Sequence, residues 1–279
     1  MDRHGIKSAI TSISAPGVHF GDDGSARELA RQCNEYAASC AQAYPGRLGA
    51  FAVLPLPDVE GALKEIAYAL DHLGLDGIGL FTNYDNTYLG DPRFDPVLQL
   101  LHERRAVTFV HPALAPAIRG LDLDLPAFVV EYPFDTTRAA TNLIYSGALE
   151  RFSGIRFILA HAGGTLPYLA FRIAHSPLID PGKLGRFSPA DIAKQIRTFY
   201  FDTALSPDLT VMTGLRSCSD PERVLFGSDW PYAPEAVTAA AITALEAPGV
   251  LDARERNAIA RDNALALFPR FSTTTRSDA

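Results

Sequence analysis

Seven short runs of apolar and β-branched residues, separated by segments of helical periodicity, constrain this chain more than any other feature of its sequence. They occupy positions 8–14, 48–54, 77–81, 107–110, 155–160, 199–202 and 224–227. None shows the polar alternation of a half-solvated strand, so each reads as a strand covered on both faces, the pattern of a parallel sheet with helices outside it. The chain has 279 residues, close to the roughly 250 of a (β/α)8 barrel. The expected fold class is therefore α/β, a (β/α)8 TIM-barrel-like chain in which seven strands are visible and strand one is missing. One domain is expected over 1–271, with a flexible polar tail over 272–279.

Helical signals fill the intervals. Ser25-Ala26-Arg27-Glu28 reads as a capping box ahead of Leu29, Cys33, Tyr36, Cys40 and Tyr44 at helical spacing. Asp58 is placed to cap the next helix, with Leu63, Ile66, Ala67 and Leu70 as its buried stripe, and Asp252-Ala253-Arg254-Glu255 is a second box that opens the last helix. Further helices are expected over 95–104, 136–152, 189–197, 207–216 and 234–245. Two connections, 112–135 and 175–188, are longer than the two to six residues usual for such loops and are expected to lie over the catalytic face.

Barrel enzymes carry their chemistry at the C-terminal ends of strands. Three ends stand out: 108–112 reaches His111, 157–164 reaches His161 followed by Gly163-Gly164, and 226–231 reaches Asp229. A lone histidine after a strand is ordinarily structural. Two histidines and an aspartate at strand ends instead form a donor set for a divalent ion. His19, in the loop after the first run, faces the same end and is a candidate substrate contact. His72 and His102, near helix C-termini, read as structural, while Asp202 at the sixth run is equally compatible with a cap or a role in the site. Cys33, Cys40 and Cys218 lack metal-type spacing and read as buried thiols.

The residues that carry this chemistry also carry a likeness. His111-Pro112, then Ile158-Leu159-Ala160-His161-Ala162-Gly163-Gly164-Thr165-Leu166-Pro167-Tyr168 with Arg172, then Tyr200-Phe201-Asp202-Thr203-Ala204, then Gly227-Ser228-Asp229-Trp230-Pro231-Tyr232, and finally Asn263-Ala264 before Leu267-Phe268 together resemble the amidohydrolase-related branch that contains 2-amino-3-carboxymuconate semialdehyde decarboxylase and γ-resorcylate decarboxylase. The resemblance covers nearly the whole chain. It implies that His111 and Asp229 are metal ligands and that His161 is the catalytic histidine beside the metal. By its own chemistry a strand-end carboxylate such as Asp229 can also accept a proton from a bound water, and His161 is a candidate third ligand. Trp230 lies in the same motif as a candidate substrate contact. Arg172 matches a position that, in the semialdehyde decarboxylases, reaches the substrate carboxylate of a neighbouring subunit, which implies a homodimer.

One departure bears on the ligand count. Members of this branch begin with a strand ending in His-x-His; here Asp2-Arg3-His4 starts similarly, but position 6 is Ile6. None of the four lysines, Lys7, Lys64, Lys183 and Lys194, follows a strand run, so a single divalent ion is expected, zinc ahead of manganese.

The implied activity is non-oxidative decarboxylation of an aromatic or unsaturated carboxylic acid. Alternatives are a metal-dependent hydrolase of a lactone or related ester, and a catalytically impaired binding barrel if strand one is absent. A formal charge of −7 gives no footprint for nucleic acid or an anionic membrane. Without an apolar run of roughly 18 residues or a leader-like start, a cytoplasmic location and a small carboxylate partner are expected.

Overall fold

The computed structural model describes residues 1–118 and 124–272. Seven strands, β1 (Ala9–Thr11), β2 (Leu48–Val53), β3 (Gly77–Phe81), β4 (Val107–His111), β5 (Arg156–Leu159), β6 (Tyr200–Asp202) and β7 (Val224–Leu225), pair in parallel and in sequence order. Phe81 lies opposite His111, and Val110 opposite Leu159. The sheet is a curled half-barrel of the TIM-barrel type. Its edges are β1 and β7, which do not pair with each other among the described residues.

Strand parity decides what faces where. Phe51, Val107, Ile158 and Leu225 cluster with Leu267, Phe268 and Phe271 of the C-terminal segment. Within this cluster Phe51 stacks on Phe109 at 5.6 Å and meets the Phe268 ring edge-on at 5.9 Å. The C-terminal aromatics thus fill the floor of the half-barrel. Val107, Phe109 and His111 share one face of β4, so the alternation that packs the partly buried Phe109 against the floor carries His111 to the mouth. On the other side of the sheet, Ala52, Ile78, Leu80, Val110 and Leu159 belong to the main core shared with the outer helices. Fully burying each of the larger aliphatic side chains contributes about 1.5–3 kcal/mol before entropy is counted.

The longer helices between and after the strands are α1 (Asp23–Ala43), α2 (Val59–Ala67), α3 (Asp95–Glu103), α4 (Ala127–Tyr145), α5 (Leu166–Ile179), α6 (Pro189–Ile196), α7 (Leu209–Cys218) and α8 (Glu235–Glu246). The Asp58 cap and the box at Asp252 and Glu255 form as expected. Four boundaries differ. The cap of α1 is Asp22 and not Ser25, because the Asp22 carboxylate accepts the Ser25 N–H at 2.7 Å one turn earlier. Helix α4 starts at Ala127, inside the expected loop, and passes through Pro133; the Thr137 hydroxyl donates to the Pro133 carbonyl at 2.9 Å. It ends at Tyr145 instead of running on to Phe152, since Gly147 adopts φ 74° and starts a separate turn. Helix α5 likewise continues through Pro177 to Ile179, shortening the second expected loop.

Cys218 is buried, while Cys33 and Cys40 are only partly so; all three are free. His102 accepts the Gly154 N–H at 2.8 Å and His72 stacks on Tyr68 at 5.0 Å, both structural contacts. The expected tail lies outside the described residues from 273 onward, and Ser272 closes a final turn through its N–H to Pro269. No helix among the described residues is long and apolar enough to cross a membrane.

Candidate active site

His111, His161 and Asp229 come from the ends of β4, β5 and β7, about 50 and 70 residues apart in sequence, and each offers a ligand atom within 4.8 Å of the others. The Nε2 of His111 is 3.9 Å from Asp229 Oδ1, and the Nε2 of His161 is 3.7 Å from Asp229 Oδ2. The two imidazoles lie 5.4 Å apart, nearly perpendicular. Both are buried, at 8% and 7% exposure.

Local backbone explains these placements. His161, Ala162, Gly163 and Gly164 all have positive φ, from 55° to 74°, and so does Asp229 at 56°. Left-handed conformations at non-glycine residues cost on the order of 1–3 kcal/mol each and persist only where surroundings impose them. The constraint at His161 is visible: its N–H donates to Asp202 Oδ1 at 2.8 Å, and the same oxygen accepts the Ala204 N–H at 3.0 Å. The glycine pair is more than a plain turn. A Cβ on Gly163 would sit 2.7 Å from the Phe201 ring, and one on Gly164 would sit 2.0 Å from the Pro133 carbonyl oxygen.

The donor set fits a divalent cation. A carbonyl can only accept, so the contact of His111 Nδ1 with the Pro112 oxygen at 2.9 Å requires a proton on Nδ1 and leaves the Nε2 lone pair facing Asp229. Burial first, then the neighbouring charge of His161, pushes His111 down to about 4, so it is neutral near pH 7. His161 moves the other way. Burial is the largest single influence on it and opposes charging, but the Asp229 hydrogen bond and the charges of Asp202 and Asp229 together raise it. Burial holds Asp202 above the usual carboxylate range.

The other expected residues are peripheral to this cluster. Trp230 is 66% exposed at the rim, beside Tyr232 at 70%. His19 is tied locally, with Nε2 2.9 Å from Asp23 Oδ1 and Nδ1 accepting from the Gly21 N–H, and it is not one of the three converging donors. Arg172 is exposed on α5, without an ion pair among the described residues.

Tyr132 was not legible from the sequence. It sits on α4, in the stretch expected to be loop, and its ring meets His111 edge-on at 6.2 Å. Burial, then the proximity of Tyr232, Asp229 and Asp135, raises its phenol above its ordinary value. No strand-end signal marks it; only the position of α4 brings it to the site.

The sequence model of the amidohydrolase family matches residues 11–270. The chain belongs to the amidohydrolase family. It is similar to the decarboxylase yanB of Aspergillus niger, 40% identical over 285 residues that cover 97% of this chain and 77% of that protein. It is also similar to the 6-methylsalicylic acid decarboxylase of Penicillium expansum, 40% identical over 270 residues that cover 95% of this chain and 83% of that one. Among solved structures, the dihydroxybenzoic acid decarboxylase of Polaromonas sp. with bound manganese and the inhibitor 2-nitroresorcinol superposes with a TM-score of 0.85 at 25% identity, covering 96% of this chain and 83% of that chain.

Proposed function

We propose that this chain is a metal-dependent, non-oxidative decarboxylase of aromatic carboxylic acids, with hydroxybenzoates of the 6-methylsalicylic acid type as the first candidates. The observation that carries the reading is the convergence of two buried imidazoles and one carboxylate within 4.8 Å at the strand ends of a chain whose relatives are decarboxylases.

We assign His111 and Asp229 to hold one divalent ion. Zinc suits this donor set and manganese is bound in the Polaromonas relative. When bound, the ion would supply positive charge that orients the substrate carboxylate or a neighbouring oxygen. His161, whose proton is favoured by Asp229 and Asp202, gives that proton to the ring carbon that carries the carboxylate. The carbon–carbon bond then breaks, its electron pair restores the aromatic ring, carbon dioxide leaves, and His161 regains a proton from solvent. Tyr132 and Trp230 flank the substrate ring, and Asp202 holds the His161 N–H so that the imidazole keeps its place. His161 is also the candidate third ligand, and the metal content of a His161→Ala variant separates the two roles.

We further propose a single catalytic domain over 1–271, a cytoplasmic enzyme with free thiols, and a homodimer formed through α5. Tyr168, Phe171, Leu178 and Ile179 are 89%, 74%, 68% and 80% exposed on that helix, and exposed apolar patches of this kind mark interaction surfaces. Arg172, on the same helix, would serve the substrate carboxylate of the partner.

The test is to incubate metal-loaded protein with a panel of hydroxybenzoates and a panel of lactones, reading carbon dioxide against acid release. Carbon dioxide from the first panel alone is expected. Acid from the lactones without carbon dioxide would replace the reading with hydrolysis.

A further inference from the structure

Thr82, Asn83 and Asp135 form a buried polar cluster behind His111, at 0%, 4% and 1% exposure. A carboxylate at that depth is costly unless its oxygens are hydrogen-bonded. Here both are. Oδ2 accepts from the Thr82 hydroxyl and, at 2.9 Å, from Asn83 Nδ2, while Oδ1 accepts from the Tyr88 hydroxyl, with Arg138 Nη1 at 3.7 Å.

The carboxylate sets the direction of the Thr82 hydroxyl. Because the single proton of the Thr82 hydroxyl goes to Asp135, its oxygen accepts the Ala113 N–H, at 3.0 Å. Asn83 Nδ2 also donates to the Ala113 carbonyl at 2.7 Å, and the Thr82 N–H donates to the His111 carbonyl at 3.0 Å. Residues 111 and 113 are thereby pinned on either side of Pro112, whose carbonyl receives the His111 Nδ1 proton. Asp135 also lies one helical turn after Tyr132, the residue whose ring abuts His111.

We propose that Asp135 is a positioning residue for His111: acting through Thr82, it fixes the 111–113 turn and so selects Nε2 as the nitrogen presented to the metal. This rests on the metal-binding role proposed for His111. The Thr82 hydroxyl links Asp135 to the Ala113 N–H, and Asn83 Nδ2 links it to the Ala113 carbonyl in parallel, so the Thr82 link carries part of what Asp135 does.

Mn²⁺ titrations followed by electron paramagnetic resonance on the full chain test it, alongside ¹⁵N spectra of the histidine rings. Asp135→Asn and Thr82→Val are each expected to weaken Mn²⁺ binding about 10- to 100-fold, the usual effect of losing a partner behind a ligand. Thr82→Ser, which keeps the hydroxyl, should remain within about twofold of wild type. In the double variant Asp135→Asn/Thr82→Val the two losses should combine to less than their product, because the Thr82 link carries part of the effect of Asp135. A folded Thr82→Val that loses thermal stability but binds Mn²⁺ like wild type overturns the proposal, as does a double variant whose losses multiply in full. If neither variant folds, the wild-type spectrum decides: His111 carrying its proton on Nδ1 supports the relay, and on Nε2 overturns it. A wild-type chain that takes up no Mn²⁺ sinks the metal assignment instead, while the ring spectrum still reports on the relay.

Discussion

The floor and the rim of the site are built differently. His111 and His161 are more than nine-tenths buried, and each is anchored by hydrogen bonds of its ring or backbone to Pro112, Thr82 or Asp202. Trp230 and Tyr232, one and three residues beyond Asp229, are about two-thirds exposed. Under the roles proposed for these residues, the difference separates two tasks. Groups that bind an ion or move a proton gain from being held rigidly at strand ends, whereas groups that recognise a substrate ring do so with exposed aromatic area that leaves the floor undisturbed.

Substitutions on the two sides should therefore fail differently. The largest effect is expected at His111→Ala, which removes a proposed ligand from a site with few of them: metal content should fall to near zero and turnover with it, measured by metal analysis after dialysis. His161→Ala should lower turnover about 10²- to 10⁴-fold, the range for a lost proton donor, while the variant retains most of its metal. An active His161→Ala protein would remove it from the chemistry.

Arg172→Ala is expected to lose activity through the partner subunit. Mixing inactive Arg172→Ala with inactive His161→Ala should restore part of the activity once subunits exchange, and no recovery despite demonstrated exchange would confine Arg172 to its own surface. The smallest effect belongs to the rim. Trp230→Ala should raise KM by up to about tenfold with kcat nearly unchanged; a large fall in kcat would erase the distinction between floor and rim.

Much of the floor was legible because its signals are local. A mostly apolar run ending in histidine or aspartate states both the strand and the position of the side chain at its mouth, and this holds for His111, His161 and Asp229. Both long loops of the sequence pattern are partly helix. Pro133 and Pro177 lie inside α4 and α5, where the surrounding packing holds the helix although proline cannot donate the backbone hydrogen bond. Tyr132 and Asp135 were hidden for the same reason. They lie on α4, whose first turns were expected to be loop, and their meaning depends on contacts with Thr82 and His111 that sequence spacing does not record. His19 lies after β1, with its ring engaged by Asp23 and Gly21.

The most direct test is the reaction of metal-loaded protein with 6-methylsalicylic acid in D₂O, following carbon dioxide and the deuterium content of the phenol product. Wild type should release one carbon dioxide per phenol formed and place one deuteron on the carbon that lost the carboxylate, with both signals abolished by chelator and strongly reduced in His161→Ala. Carbon dioxide release that is indifferent to chelator and to His161, or no decarboxylation of any hydroxybenzoate by a chain that holds metal, would contradict the account.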